Sequence, residues 1–143
     1  MQRRINILTW AVFLLYIAAV MFLCLYRFSA SPIDLGKYFL GIRMDRFAHL
    51  LMFLPYPFTA WLIFRYSVPS EFVRKHALAA AFITGILFAA FSELMQHLLS
   101  EYRQGDIADF LADSVSVLAG VIILWSSGAG RTKKTGKHPY GNE

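Results

Sequence analysis

Glu93, His97, Asp106, Asp109 and Asp113 fall between Phe88 and Gly120, and Asp45 and His49 stand ahead of an earlier apolar run. Carboxylates and imidazoles gathered in one place can pass protons, hold a cation or receive the donor groups of a ligand. Here they sit inside or beside segments apolar enough to cross a membrane. An ionised acid at a bilayer centre costs roughly 2.5–3.5 kcal/mol on insertion scales, so several in one short stretch need a structural or functional reason.

The elements that must position them are helices. The chain has 143 residues, 57% hydrophobic and 16% charged, where a soluble domain is nearer a quarter charged. Four runs are long enough to span: about 5–26, 46–65, 76–99 and 106–126. The fold class expected is an all-α membrane protein, a four-helix transmembrane bundle over residues 1–130 with both termini on one side. Residues 131–143 form a basic tail, expected to be cytoplasmic and disordered. Arg3 and Arg4 before an apolar run, and Ser29-Ala30-Ser31 after it, resemble a signal peptide. The run is longer than a typical signal's apolar region, so a retained helix is expected. The single Cys24 excludes an intrachain disulfide.

The net charge of +5 does not point to nucleic acid. Four of the fourteen Lys/Arg lie in the tail and the others flank apolar runs. The N-terminus, the 65–76 connection and the tail together carry nine, against five on the other side. The positive-inside rule therefore puts both termini in the cytoplasm of a multi-pass cell-membrane protein. Whichever side is out, Asp45, His49, Glu93, Gln96, His97, Arg103, Asp106, Asp109 and Asp113 share one membrane half.

At 100° per residue, Asp106, Asp109, Asp113, Ser116 and Gly120 occupy a stripe about 80° wide on the last helix. Small and polar stripes face other helices rather than lipid. Ala81, Gly85 and Ala89 form a similar small-residue stripe on the third helix, leading to Glu93 and Gln96, with His97 further round. Pro55 and Pro57 should kink the second helix and leave the Leu51 and Phe53 carbonyls in need of partners. The apolar piece Leu35–Gly41 reads either as a short lid or as an interfacial turn.

Plainer roles compete. Asp45 and Asp106 each precede an apolar helix and are suited to capping it. Arg103 can lock to Glu93 or Asp109 as a structural counter-charge, and His49 and His97 can be interfacial hydrogen-bonders. Glu93, Asp109 and Asp113 are the acids least explained in this way. Residue types would allow a metal at Glu93, His97, His49, Asp109 and Asp113, but HExxH and paired cysteines are missing, so no metal and no cofactor is expected. No Ser-His-acid motif or P-loop is present.

Arg43-Met44-Asp45-Arg46-Phe47-Ala48-His49 resembles the Asp-Lys-x-x-His opening of VanZ-like membrane proteins. Ser92-Glu93-Leu94-Met95-Gln96, then Arg103, then Asp106 to Asp113 is similar to that family's Glu-x-x-Gln, Arg and Asp-x-x-Asn signature. The likeness runs from about Ser31 to Gly120. It implies a small integral membrane protein of a family whose naming member is linked to low-level resistance to lipid-tailed glycopeptides such as teicoplanin. It also implies a polar set of Asp45, His49, Glu93, Gln96, Arg103 and Asp109. Arg46 stands where Lys is usual, Asp113 where Asn is, and Ser116 where Gly is.

Two function classes follow. One is a binding protein whose outward polar pocket takes a membrane lipid, a lipid-linked cell-wall intermediate or a lipidated antibiotic. The other is an intramembrane hydrolase or transferase, with Glu93 or Asp109 as base and His49 or His97 as acid partner. The first is favoured, and oligomerisation is left open. A proton- or cation-coupled carrier fits less well, because four helices show no inverted repeat.

Overall fold

A computed structural model describes residues 2–25, 38–39, 42–99 and 107–129, with side chains in 7–25, 46–99 and 107–129. Helix α1 runs Gln2–Leu25. Tyr38–Phe39 (β1) and Ile42–Arg43 (β2) form two antiparallel rungs, Tyr38 against Arg43 and Phe39 against Ile42. The chain then passes directly into α2, Met44–Phe53, so Asp45 is inside the first turn rather than before it. Helix α3 is Tyr56–Tyr66, α4 is Glu71–Lys75, α5 is Ala77–Leu99 and α6 is Ile107–Ser126. The rest of the Leu35–Gly41 piece, and the 131–143 tail, lie outside the described residues.

Four helical stretches are long and apolar enough to cross a membrane: Ile7–Leu25, Arg46–Tyr66, Ala77–Leu99 and Ile107–Ser126. The second is two helices. Pro55 and Pro57 lack an N–H, so α2 stops at Phe53 and α3 restarts with Pro55 at its N-cap and Pro57 in its first turn. In a first turn the missing donor costs nothing, because that N–H has no intrahelical acceptor.

A break leaves carbonyls that lipid cannot satisfy. The side chains that answer them reach Leu50 and Met52, not the Leu51 and Phe53 carbonyls expected from a simple kink. Ser116 of α6 donates its hydroxyl to the Leu50 carbonyl, and Tyr16 of α1 donates to the Met52 carbonyl. The reason is that α2 ends outright. The Leu50 carbonyl still accepts from the Leu54 amide at 3.2 Å, and the last-turn carbonyls that face neighbouring helices are the ones that side chains reach. Ser70 caps the short α4 by accepting from the Val73 amide, another element the apolar pattern did not mark.

Helix α6 lies against α5 and both halves of the broken span, α5 packs on α3, and α1 packs on α2, α3 and α5. The approach is close where the small stripes meet. A Cβ on Gly120 would stand 2.9 Å from the Leu54 carbonyl oxygen and 2.9 Å from Pro57 Cγ. A Cβ on Gly85 would stand 2.6 Å from Val117 Cγ1. Ala81, Ala89, Ser92, Ser116 and Val117 are buried along the same faces. Phe88 fills the middle, with ring centroids 5.3 Å from Phe53 and 5.4 Å from Tyr56. Above this aromatic layer, at one end of the bundle, lie the buried ionisable side chains.

Candidate functional site

His49 is the hub. It lies one turn before the end of α2, its ring nearly parallel to that of Phe53, and it is 2% exposed. Its Nδ1 is 3.2 Å from Asp113 Oδ1, 3.3 Å from Asp113 Oδ2 and 4.0 Å from Glu93 Oε1. Asp113 is fully buried on α6, and Glu93 is buried on α5. One imidazole nitrogen thus meets carboxylates from two other helices. An Nδ1–H donating to Asp113 fixes the tautomer or, with both nitrogens protonated, makes a buried ion pair.

A second pair stands beside it. Arg46 precedes His49 by three residues, on the same face of α2. Its Nε donates to Asp109 Oδ1 at 3.2 Å, with the arginine side chain 31% exposed and the aspartate 5%. Asp109 and Asp113 are four apart on α6, as Arg46 and His49 are three apart on α2. Two helices therefore meet through two rungs at successive levels, Arg46 with Asp109 and His49 with Asp113. The polar stripe of α6 faces the bundle, as its angular spacing requires.

Gln96 is one turn beyond Glu93 on α5 and is buried. Its Nε2 donates to the Cys24 carbonyl at 3.1 Å, which anchors the end of α1 to the site. Its Oε1 is buried with no hydrogen-bond partner among the described residues. His97 is exposed and turned away from this cluster, so the structure does not bring it to the acids. Arg103 and Asp106 lie outside the described residues, and so does the side chain of Asp45.

Two things were missed in the sequence. The first is Arg46, which reaches Asp109; Arg103, the counter-charge the sequence offers for Glu93 or Asp109, lies outside the described residues. The three-residue spacing of Arg46 and His49 was the available signal. The second is the part played by α1. Tyr16, Val20 and Cys24 form its inward face at a spacing of four, but α1 is apolar all round and its pattern gave no direction.

His49, Glu93 and Asp109 also present one ligand atom each within 4.8 Å of one another, all three buried. This is a donor set of the imidazole–carboxylate kind that suits a divalent first-row metal. In the structure the same groups are engaged by protein: His49 by Asp113 and Asp109 by Arg46.

The broken second span, the small-residue seam and the buried acid–imidazole–guanidinium cluster together define a compact four-span membrane protein with one polar end. Residues 13–128 match the VanZ/LLP1 family, and the chain belongs to that family. Comparisons with curated proteins and with solved structures gave no match.

Proposed function

We propose that the polar end of the bundle receives the polar head of a lipid or of a lipidated cell-envelope compound from the adjoining leaflet. The observation that carries this is the burial of His49, Glu93, Asp109 and Asp113 together at one end of otherwise apolar helices. Such residues are costly inside a membrane and are usually kept for binding or transport. Arg46, partly exposed, is the group placed to meet a phosphate or carboxylate on the ligand. The carboxylates and the free Gln96 Oε1 suit hydroxyl and amine donors such as sugars or amino groups carry. The apolar helix flanks would hold the tail. In this reading the polar end faces the outside, in keeping with the lysine and arginine distribution. Resistance to lipid-tailed glycopeptides would follow from capture of the drug or of its lipid-linked target.

Lipid-resolved mass measurement on purified protein tests this directly. Wild type should retain a headgroup class that Glu93→Gln and Asp109→Asn lose, with all three inserted equally. A teicoplanin phenotype should disappear in the same two variants at matched expression. Unchanged lipid retention and unchanged phenotype in both variants would sink the proposal.

One observation favours a second reading. His49 is oriented by Asp113 while lying 4.0 Å from Glu93, which is how an imidazole is prepared for proton transfer. A hydrolase or transferase would turn over a lipid-linked substrate with a pH-dependent rate, and would lose activity with a chelator if His49, Glu93 and Asp109 hold a metal. Binding without turnover across a broad lipid panel would favour the first reading.

A further inference from the structure

The opposite end of the bundle has a cavity of about 250 Å³ that the polar cluster does not touch. Its walls include Arg65 at the end of α3, Arg74 and Lys75 of α4, and His76 at the start of α5. Trp61 and Trp125 flank it from α3 and α6. The spans end at Tyr66 and Ser126 and begin at Ala77, so the cavity lies level with one membrane surface.

Its construction gathers positive charge. Arg65 Nη1 donates to the Arg74 carbonyl at 3.2 Å, which ties α4 back onto α3 and holds two guanidinium-bearing residues close together. Glu71 is the acid of this connection, and it is engaged by Lys75 at 3.0 Å in an exposed pair that water weakens. Arg65, Arg74 and Lys75 therefore outnumber it. Ala77 to Ala79, the first turn of α5, line the same wall and add the donors that open a helix. Phe72 of α4 is 73% exposed, an apolar side chain suited to dip into the interface beside the cations.

We infer that this cavity binds the phosphate of an anionic membrane lipid, such as phosphatidylglycerol, at the surface opposite the acid cluster. The charge selects an anion, and guanidinium groups fit phosphate oxygens in pairs. The level selects a lipid over a soluble ligand. Tryptophans at both flanks are the usual company of headgroups. The volume is below the ~300–1,000 Å³ of pockets that enclose whole drug-sized ligands, so it takes a headgroup and leaves the acyl chains along the helices. This site does not depend on the function proposed for the other end.

The test uses the full chain in bilayers of phosphatidylcholine alone or with phosphatidylglycerol, and counts retained anionic lipid by mass measurement. The Arg74→Gln/Lys75→Gln double variant changes two exposed residues. It should match wild type in helical content and in melting in phosphatidylcholine. Each basic residue near an anionic surface contributes about fivefold, so the double variant should hold phosphatidylglycerol on the order of 25-fold more weakly. Arg65→Gln should add to the loss. Equal retention by wild type and the double variant would overturn the inference. Inorganic phosphate added to phosphatidylcholine bilayers should neither stabilise the protein nor displace the lipid. Stabilisation by phosphate with no preference for phosphatidylglycerol would overturn the lipid assignment.

Discussion

The two ends of this bundle handle charge in opposite ways. At one end Asp109, Asp113, Glu93 and His49 are buried and meet each other or Arg46 across helices. At the other end Arg74, Lys75, His76 and Glu71 are exposed, and the contacts among them are local, within α4 or with its neighbour α3. The difference has consequences for stability. Buried groups in a membrane have no water to fall back on, so the acid end must be built with its partners in place. Exposed groups at an interface can be exchanged at little cost. The acid end should therefore be sensitive to single substitutions, and the basic end should not be.

The sharpest way to break this contrast is at Asp113. Asp113→Ala removes the acceptor nearest His49 Nδ1, and leaving a buried donor unsatisfied costs about 1–3 kcal/mol. Asp113→Asn keeps an acceptor at the same place and should cost less than about 1 kcal/mol by the ordinary worth of a hydrogen bond. Reversible unfolding in mixed detergent micelles measures both. Similar losses for Asn and Ala would mean that the negative charge, not the hydrogen bond, holds His49. Negligible loss for Ala would mean that the acid end is no more demanding than the basic one.

An effect no larger than this is expected between the ends, at the seam. Gly120→Ala would set a Cβ 2.9 Å from the Leu54 carbonyl oxygen, a backbone atom that cannot swing aside. Overpacking of this kind costs about 1–3 kcal/mol. Gly85→Ala meets side-chain atoms only, Val117 Cγ1 at 2.6 Å and Tyr56 Cδ1 at 3.1 Å, and side chains can shift where a backbone carbonyl cannot, so it should cost less. The same unfolding measurement ranks them. The reverse order would place the rigid contact of the bundle at α5 rather than at the break in the second span.

Much of this was legible in the residue pattern, and the reason differs by region. The four spans could be read because a bilayer imposes a length on apolar runs. The inward face of α6 could be read because Asp109, Asp113, Ser116 and Gly120 follow the helical repeat. The pairing of Arg46 with Asp109 could not, because it depends on how α2 crosses α6 once Pro55 and Pro57 have broken the span. The reach of Tyr16 to Met52 could not either. Which carbonyl a hydroxyl finds is set by packing between helices far apart in sequence, and α1 carries no polar stripe to reveal its inner face. The basic cavity needs the fold of the 65–76 connection, where no apolar repeat marks the short α4.

The smallest expected effect lies in that connection. Lys75 beside Glu71 holds its carboxyl below the usual carboxylate value, chiefly through their hydrogen bond. An acid with a depressed folded pKa adds stability above its unfolded pKa and loses it as pH falls through the folded one. Any contribution from Glu71 is thus constant from neutral pH down to the carboxylate range, and fades only in acid. Because both partners are exposed, the pair is screened by water and salt. Glu71→Gln should therefore leave the melting temperature in phosphatidylcholine unchanged at neutral pH. It should strengthen retention of phosphatidylglycerol slightly, since one negative charge leaves the rim of the basic cavity. A clear fall in melting temperature would show that α4 is held by its charges as firmly as α6 is, and the two ends would no longer differ in kind.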